Sequence, residues 1–326
     1  MNRRKPIPSL QLVAPVLSGK VAAIARLLTR AETGDDEAND ALTEIYRHTG
    51  QSAVVGVTGV AGCGKSSLIQ HLIAAIRHSQ RTVAVVAVDP TSPFSGGAIL
   101  GDRVRMHSFS NDPGVFIRSM ATRGALGGLA RTTLESVDVL DAAGFDIVLI
   151  ETVGAGQDEI DVLRAAHTIV VVSAPGLGDD IQVIKAGILE IADIHAVSKC
   201  DRSDSARTLT ELKNLLTMHA PFPRDAGWSP PVVATSAVDG QGTAELLDHI
   251  DRHLAFLESS GEIVARRQRI AEWRLLQSAK NLLHDEFVGR RDGRLSILTQ
   301  KLMGRETSPR VAAKQLIENI FRENRT

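Results

Sequence analysis

The stretch Gly59-Val60-Ala61-Gly62-Cys63-Gly64-Lys65-Ser66 fits the pattern G-x-x-x-x-G-K-[ST]. It follows a short run rich in β-branched residues, Ala53–Val57, and precedes a helical pattern that begins at Ser67. A strand, a glycine-rich turn and a helix in this order are the context in which the pattern forms a phosphate-binding loop. Backbone amides and the helix N-terminus would surround phosphate oxygens there. The stretch therefore predicts a nucleotide-binding P-loop protein.

Several side chains around this loop are candidates for phosphate and metal chemistry. Lys65 should reach the β- and γ-phosphates, and the hydroxyl of Ser66 should bind Mg²⁺. A carboxylate is also needed to hold or order the metal ion. Asp89 and Glu151 are candidates because each ends a predicted strand, at the edge where open α/β sheets bind ligands. Glu151 is the stronger candidate, because Gly154 follows it and a glycine there can present its N–H to a γ-phosphate.

After Gly50, short apolar runs alternate with longer helical patterns. The runs are Ala53–Val57, Val83–Val88, Val115–Ile117, Ile147–Ile150, Ile169–Val172, Ile194–Val197 and Val232–Ala234. Strands that are apolar on both faces and separated by helices are typical of a parallel sheet covered on both sides. We therefore predict an α/β fold of the P-loop NTPase type, with a mainly parallel sheet flanked by helices.

The segments before and after this sheet are expected to be helical. Residues 1–50 are interpreted as an arm, over about residues 1–15, followed by helices from Leu17 to about His48. Residues 51–260 are interpreted as the domain that contains the P-loop. Residues 261–326 show helical patterns only, over 262–291, 295–303 and 309–325, and are interpreted as a C-terminal helical region.

Two further motifs concern the nucleotide base. Ser198-Lys199-Cys200-Asp201 resembles the guanine motif N-K-x-D, with Ser in place of Asn. The Asp201 carboxylate can accept from both N1–H and the exocyclic amine of guanine, whereas adenine would leave it unpaired. Thr235-Ser236-Ala237 matches the short segment that contacts the guanine carbonyl in G proteins. Together, in this order and each after a strand, the motifs favour guanine over adenine.

The candidate nucleotide-binding set follows from these motifs. It comprises Gly59, Val60, Ala61, Gly62, Cys63, Gly64, Lys65, Ser66, Ser67, Ser198, Lys199, Asp201, Ser236, Ala237 and Val238.

Composition excludes some classes of partner. The 326 residues carry a formal net charge of −1, which gives no electrostatic reason to expect nucleic acid or an anionic membrane. The two cysteines cannot form a disulfide framework, which fits a reducing compartment. The first residues lack an uninterrupted apolar core, and no later stretch is long and apolar enough to span a bilayer. A cytoplasmic location is therefore expected.

Four longer motifs identify a family resemblance. They are Ala87-Val88-Asp89-Pro90-Thr91-Ser92-Pro93, the segment Gly96–Met106, Thr122-Arg123-Gly124-Ala125-Leu126-Gly127-Gly128, and Glu151-Thr152-Val153-Gly154-Ala155-Gly156-Gln157. All four resemble the methylmalonyl-CoA mutase-associated GTPases, the MeaB group once labelled ArgK-like transport kinases. The resemblance runs from about residue 17 into the C-terminal helices. It implies a GTPase of the SRP/MinD-like (SIMIBI) class.

The resemblance also implies a function and partners. Members of this family act as chaperones that gate cofactor loading of an adenosylcobalamin-dependent acyl-CoA mutase and protect it from inactivation. The expected ligands are GTP, GDP and Mg²⁺. The C-terminal helices resemble the family's dimerisation arm, so a homodimer is expected.

Residue roles follow from the same resemblance. Asp89, Asp102 and Glu151 would form the acidic set around Ser66 and magnesium. Asp102 and Arg105 would lie in the first switch region, and the segment from Gly154 to Gln157 in the second. The segment Gly176–Lys185 resembles a further switch that reports the nucleotide state to the mutase.

Two roles in hydrolysis each have two candidate residues. Gln157 and Glu151 are both candidates for positioning the attacking water, and either Arg105 or Arg123 could neutralise charge beside Lys65. Two other function classes share the fold: a metallochaperone GTPase of the hydrogenase or urease maturation type, and a kinase.

The chain also departs from the family pattern. The family usually has Pro at the position of Ala61, Ala at that of Cys63 and Asn at that of Ser198. Serine is shorter than asparagine and lacks the amide, so one hydrogen bond worth about 0.5–1.5 kcal/mol is expected to be lost. We predict weaker nucleotide affinity with retained guanine preference.

Overall fold

The computed structural model describes residues 7–33, 35–89, 109, 111–121, 128–152, 163–176, 191–218, 227–289 and 293–323. The chain divides into two compact units, one ending at Arg274 and the other beginning at Leu275. Within the described ranges, no helix is long and apolar enough to cross a membrane.

A parallel sheet forms the centre of the first unit. Among the described residues it has seven strands in the order β3-β2-β4-β1-β5-β6-β7. The strands are β1 (Ala53–Gly59), β2 (Val83–Asp89), β3 (Val115–Ala121), β4 (Ile147–Thr152), β5 (Thr168–Ser173), β6 (Ile194–Val197) and β7 (Val232–Ala234). The predicted α/β fold is confirmed, and each of the seven apolar runs lies in a strand.

Helices follow several of these strands and cover both faces of the sheet. They are α4 (Lys65–His78), α5 (Gly128–Ala142), α6 (Ser205–Met218) and α7 (Thr243–Ser259). Alternate strand residues point to opposite faces, and along β4 Val148 and Ile150 join one buried cluster while Ile147 and Leu149 join the other. The second of these clusters includes residues of α4 and α7, whereas the first includes residues of α5. This two-sided burial explains why the strands carry few polar side chains.

The N-terminal segment is more ordered than its sequence predicts. Helix α1 (Leu10–Leu17) contains Pro15, and it is followed by α2 (Val21–Thr33) and α3 (Asn39–Tyr46). The expectation of a loose arm over residues 1–15 is therefore wrong from residue 10 onward. Leu12, Val13 and Val16 are buried in the core cluster that also includes α5. Burial of one helix face outweighs the cost of an internal proline.

Helix α8 (Glu262–Gly289) begins in the first unit, where a buried ion pair attaches its first turns to the sheet. Arg266 donates to both carboxylate oxygens of Asp193, at 3.1 and 2.6 Å, and Asp193 directly precedes β6. Asp193 is only 3% exposed. The imidazole of His253 on α7 lies 3.6 Å from the same carboxylate. Helix α8 thus starts in contact with the amino-terminal end of β6.

The second unit is helical throughout its described part. It contains the end of α8, then α9 (Gly293–Met303) and α10 (Pro309–Glu323). These helices agree with the three helical patterns predicted beyond residue 261, to within a few residues at each end.

Candidate nucleotide-binding site

The predicted phosphate loop joins the central strand β1 to α4. Strand β1 ends at Gly59 and α4 begins at Lys65. A side chain at Gly59 would place its Cβ 2.1 Å from the carbonyl oxygen of Val172 on β5, so only glycine fits this close approach. Gly64 has a φ of +97° and directly precedes the helix. The glycines therefore shape a turn that L side chains would strain.

The side chain of Lys65 lies inside this loop. Its ammonium donates to the carbonyl oxygens of Gly59 at 2.8 Å and Val60 at 3.0 Å. The residue is only 6% exposed. Hydrogen bonds from an ammonium to an anionic oxygen are stronger than those to a neutral carbonyl, so this ammonium can exchange its carbonyl contacts for a phosphate oxygen.

Ser66 contacts the end of the neighbouring strand. Its hydroxyl donates to Oε1 of Glu151 at 2.5 Å, and Glu151 is 5% exposed near the carboxyl end of β4. The parallel register pairs Val57 with Glu151. One position further, the hydroxyls of Thr58 and Thr152 lie 2.9 Å apart. The sequence-predicted pair of hydroxyl and carboxylate is therefore assembled where β1 and β4 end.

This pair has the donor chemistry that Mg²⁺ prefers. Magnesium binds hard oxygen ligands, commonly one or two carboxylates and hydroxyls together with phosphates and water. Ser66 and Glu151 supply such oxygens next to the phosphate loop. Asp89 is the last residue of β2, which pairs with β4, but its side chain lies outside the described residues. The residues present fit the ion.

The predicted base-recognition residues follow β6. The hydroxyl of Ser198 hydrogen-bonds the carbonyl oxygen of Cys63 in the phosphate loop and that of Ser173 at 3.1 Å. Lys199 has a φ of +55°, and its ammonium donates to the carbonyl of Gly62 at 2.8 Å. Both side chains thus tie this motif to the phosphate loop.

The two base motifs lie side by side. The hydroxyl of Ser236 donates to Oδ1 of Asp201 at 3.2 Å. The amide of Cys200 donates to the carbonyl of Thr235 at 3.0 Å. Val238 follows with an 80% exposed side chain. Segments that are distant in sequence therefore form one surface beside the phosphate loop.

Burial and hydrogen bonding shift the titration of three groups here. Burial raises the pKa of the Cys63 thiol, against the opposing effect of the Lys65 charge. Burial also raises the pKa of Cys200. The nearby Ser236 side chain and the Gln241 amide lower the pKa of Asp239. Both thiols therefore remain protonated at neutral pH, and the carboxyl of Asp239 is ionised.

The remaining predicted residues lie outside the described residues. They are Asp102, Arg105, Arg123, Gly154 and Gln157, together with positions 177–185 of the proposed third switch.

One residue of this region was missed by sequence reasoning. His71 lies on α4, and its Nε2 is 2.9 Å from the carbonyl oxygen of Ala237. A single histidine within a helical pattern carries no signal of such a contact, because the loop it meets is distant in sequence.

Comparisons with known proteins agree with the geometry. Residues 24–292 match the family model described as methylmalonyl Co-A mutase-associated GTPase MeaB. A Pyrococcus abyssi protein whose name describes a GTPase is 42% identical over 316 residues, covering 95% of this chain and 96% of its own. GTPase ArgK of Escherichia coli is 32% identical and covers 93% of each chain.

Two further matches extend this likeness. The mitochondrial methylmalonic aciduria type A homolog of Caenorhabditis elegans is 31% identical over 96% of this chain and 84% of its own. Among solved structures, a LAO/AO transport system kinase matches with a TM-score of 0.72 at 24% identity, covering 96% of this chain and 97% of that one. This structural likeness supports the fold.

Proposed function

Because the chain belongs to the methylmalonyl Co-A mutase-associated GTPase family MeaB, we propose that this GTPase is a chaperone of an adenosylcobalamin-dependent acyl-CoA mutase. The family match over residues 24–292 is the observation that carries the proposal. The methylmalonic aciduria name of the Caenorhabditis elegans relative supports it. The client is methylmalonyl-CoA mutase or a close relative, whose cofactor loading the chain gates and which it protects from inactivation.

In this function the phosphate loop holds the triphosphate of GTP. Lys65 exchanges its two carbonyl contacts for β- and γ-phosphate oxygens and neutralises their charge. The backbone amides from Val60 to Ser67 and the N-terminus of α4 supply further donors. The burial of Lys65 and the position of its ammonium inside the loop support this assignment.

Ser66 and Glu151 would hold or order the magnesium ion, with Asp89 and Asp102 as the further carboxylates. The bound ion would supply positive charge at the phosphates. The 2.5 Å hydrogen bond between Ser66 and Glu151 supports a shared role for these two residues.

Hydrolysis transfers the γ-phosphoryl group to water. The water oxygen attacks the γ-phosphorus, the bond to the β–γ bridging oxygen breaks, and GDP leaves with that oxygen while inorganic phosphate forms. Lys65 stabilises the negative charge that develops on the bridging oxygen. Glu151 or Gln157 orients the water, and Arg105 or Arg123 supplies a further positive charge.

Asp201 reads the base by accepting from N1–H and the exocyclic amine of guanine. The stem of Lys199 packs along the ring, and the backbone of Ala237 and Val238 meets the guanine carbonyl. The contact between Ser236 and Asp201 supports this assignment, since it joins the two motifs that would hold one base.

The C-terminal helical region, residues 261–326, serves as a dimerisation arm. Leu275, Leu276 and Leu282 of α8 are about two-thirds or more exposed in the single chain, and burying apolar side chains is the main gain of subunit association. Sedimentation should show a dimer for the wild type and a monomer for Leu275→Glu/Leu276→Glu. A monomeric wild type contradicts this part of the proposal.

The chaperone proposal is tested by measuring GTP hydrolysis with and without a client. We expect slow turnover by the isolated chain and faster turnover with holo-methylmalonyl-CoA mutase. An acyl-CoA dehydrogenase serves as the control protein and should leave the rate unchanged. Fast turnover by the isolated chain that no mutase alters contradicts the proposal.

A kinase is the second candidate function, and the structural match to a LAO/AO transport system kinase is the observation that favours it. Following γ-labelled GTP separates the two. Label recovered only as inorganic phosphate supports a GTPase, whereas label transferred to a protein or small-molecule acceptor supports a kinase.

A metallochaperone of the hydrogenase or urease maturation type would show GTP turnover that changes with a nickel enzyme and not with the mutase.

A further inference from the structure

His71 connects the helix of the phosphate loop to the loop beside the base motif. It lies six residues after Lys65 on α4, about 9 Å along the helix axis at 1.5 Å per residue. Its Nε2 lies 2.9 Å from the carbonyl oxygen of Ala237. A carbonyl oxygen only accepts, so Nε2 carries the hydrogen and donates.

The same imidazole contacts a second point of that loop. Gly240 has a φ of +74°, and a Cβ built there would lie 3.0 Å from Nδ1 of His71. The ring therefore fits against a position with no side chain. A hydrogen bond at Ala237 and a close packing contact at Gly240 fix the ring against both sides of one turn.

The turn has internal hydrogen bonds, but few side chains tie it to the rest of the protein. Within it, the amide of Ser236 donates to the carbonyl of Gln241 at 3.0 Å, and the amide of Val238 donates to the Ser236 hydroxyl at 3.3 Å. Among the described residues, two side-chain hydrogen bonds leave the turn 236–241. One joins Ser236 to Asp201, and the other joins Ala237 to His71.

We infer that His71 is a positioning residue that sets where the Ala237–Val238 backbone meets the carbonyl oxygen of guanine. This inference rests on the proposed guanine site. Helix α4 begins at the phosphates with Lys65 and Ser66, and His71 lets the same helix fix the distance from phosphates to base. His71 acts through the turn and does not touch the base.

The alternative is a structural hydrogen bond between a helix and a surface turn. Loss of such a bond would lower the stability of the protein, or weaken the binding of all nucleotides by the same factor. A positioning role instead changes how one edge of the base is read. Two guanine analogues separate these cases: inosine diphosphate lacks only the exocyclic amine, which Asp201 reads, while 6-thio-GDP changes only the carbonyl oxygen to sulfur.

The test compares the dissociation constants of GDP, inosine diphosphate and 6-thio-GDP for wild type and His71→Ala. We expect the preference for GDP over 6-thio-GDP to fall about three- to tenfold in His71→Ala, the range of one hydrogen bond. The preference for GDP over inosine diphosphate should stay as in wild type. His71→Gln, which retains an N–H donor of similar reach, should restore most of the lost preference.

A second variant keeps the test informative if His71→Ala fails to fold. Gly240→Ala keeps the imidazole in the protein, but its added Cβ would lie 3.0 Å from Nδ1 and push the ring away from the turn, so it should lower the same preference. Gly50→Ala is the matched control, because Gly50 also has a positive φ, +101°, but no atom of the described residues lies within 4 Å of its added Cβ. If His71→Ala and Gly240→Ala shift all three nucleotides by one common factor, the inference is overturned.

Asp201→Asn, measured in parallel, separates this inference from the site on which it rests. It should reduce the preference for GDP over inosine diphosphate, because the exocyclic amine loses its charged acceptor. If it does so while the His71 variants keep the wild-type ratios, the guanine site stands and the inference fails. If Asp201→Asn changes neither ratio, the guanine site is wrong and the inference falls with it.

Discussion

The hydroxyl of Ser66 donates to the carboxylate of Glu151 across 2.5 Å, and this contact joins the phosphate loop to the end of β4. The two residues are 85 positions apart in sequence. The parallel pairing of β1 with β4 brings them together, since it aligns the carboxyl ends of both strands. The relation makes Glu151 the first residue to test.

Glu151→Gln should lower GTP turnover and apparent magnesium affinity by about 10- to 100-fold, the usual cost of losing a carboxylate that orders a metal site. The amide keeps the size of the side chain but removes the charge. A magnesium titration of GTP hydrolysis measures the effect. Glu258→Gln on the exposed face of α7 is the control and should match wild type. An unchanged magnesium dependence would remove Glu151 from the metal site.

Lys65→Ala should lower kcat for GTP hydrolysis by about 100- to 1000-fold, because one preorganised donor to the developing charge is lost. Calorimetry measures the affinity for GTP, and phosphate release measures kcat. Lys213→Ala, at an exposed position of α6, provides the comparison. GTP binding and turnover that persist in Lys65→Ala would refute the phosphate-loop assignment.

Ser198→Ala should weaken GDP binding by about two- to tenfold, since the hydroxyl that bonds the phosphate-loop carbonyl of Cys63 is lost. Ser198→Asn, which restores the side chain usual in the family, should bind GDP more tightly than wild type. The preference for guanine over adenine should persist in both variants. If Ser198→Asn weakens GDP binding, the serine does not reduce the nucleotide affinity of this protein.

Acidification should destabilise the first unit through His167. Burial lowers the pKa of His167 to about 4, and the positive charges of Arg267 and Arg266 act in the same direction. Its Nδ1 accepts from the amide of Val54 at 3.1 Å, which only a neutral ring can do. A depressed folded-state pKa means that this stabilisation is complete above about pH 6.5 and is lost as the pH falls toward 4.

The loss from this one group amounts to at most about 3 kcal/mol. Urea unfolding at several pH values measures it, with His167→Gln as the comparison, since glutamine can accept from the same amide without titrating. The wild type should lose more stability than the variant between pH 6.5 and 4. Equal losses in both proteins would assign the acid sensitivity to other groups.

Sequence reasoning predicted the sheet and the phosphate-loop turn from local patterns. It named Ser66, with Asp89 and Glu151 as candidate carboxylates, for one magnesium site, because parallel strands end at one edge of a sheet, but it did not predict the direct contact between Ser66 and Glu151. It missed helix α1, since Pro15 is a strong local breaker and the burial of Leu12 and Val16 is a tertiary effect. His71 was missed for a similar reason: its partner Ala237 lies 166 residues away.

The ion pair between Asp193 and Arg266 decides where this chain could be shortened. A protein that stopped at residue 260 would retain Asp193, only 3% exposed, and lose the guanidinium that neutralises it. Removing one partner of a buried ion pair costs about 3–5 kcal/mol, a large share of the stability of a typical domain. A minimal nucleotide-binding fragment should therefore keep the first turns of α8 and end after Arg274, where the first compact unit ends.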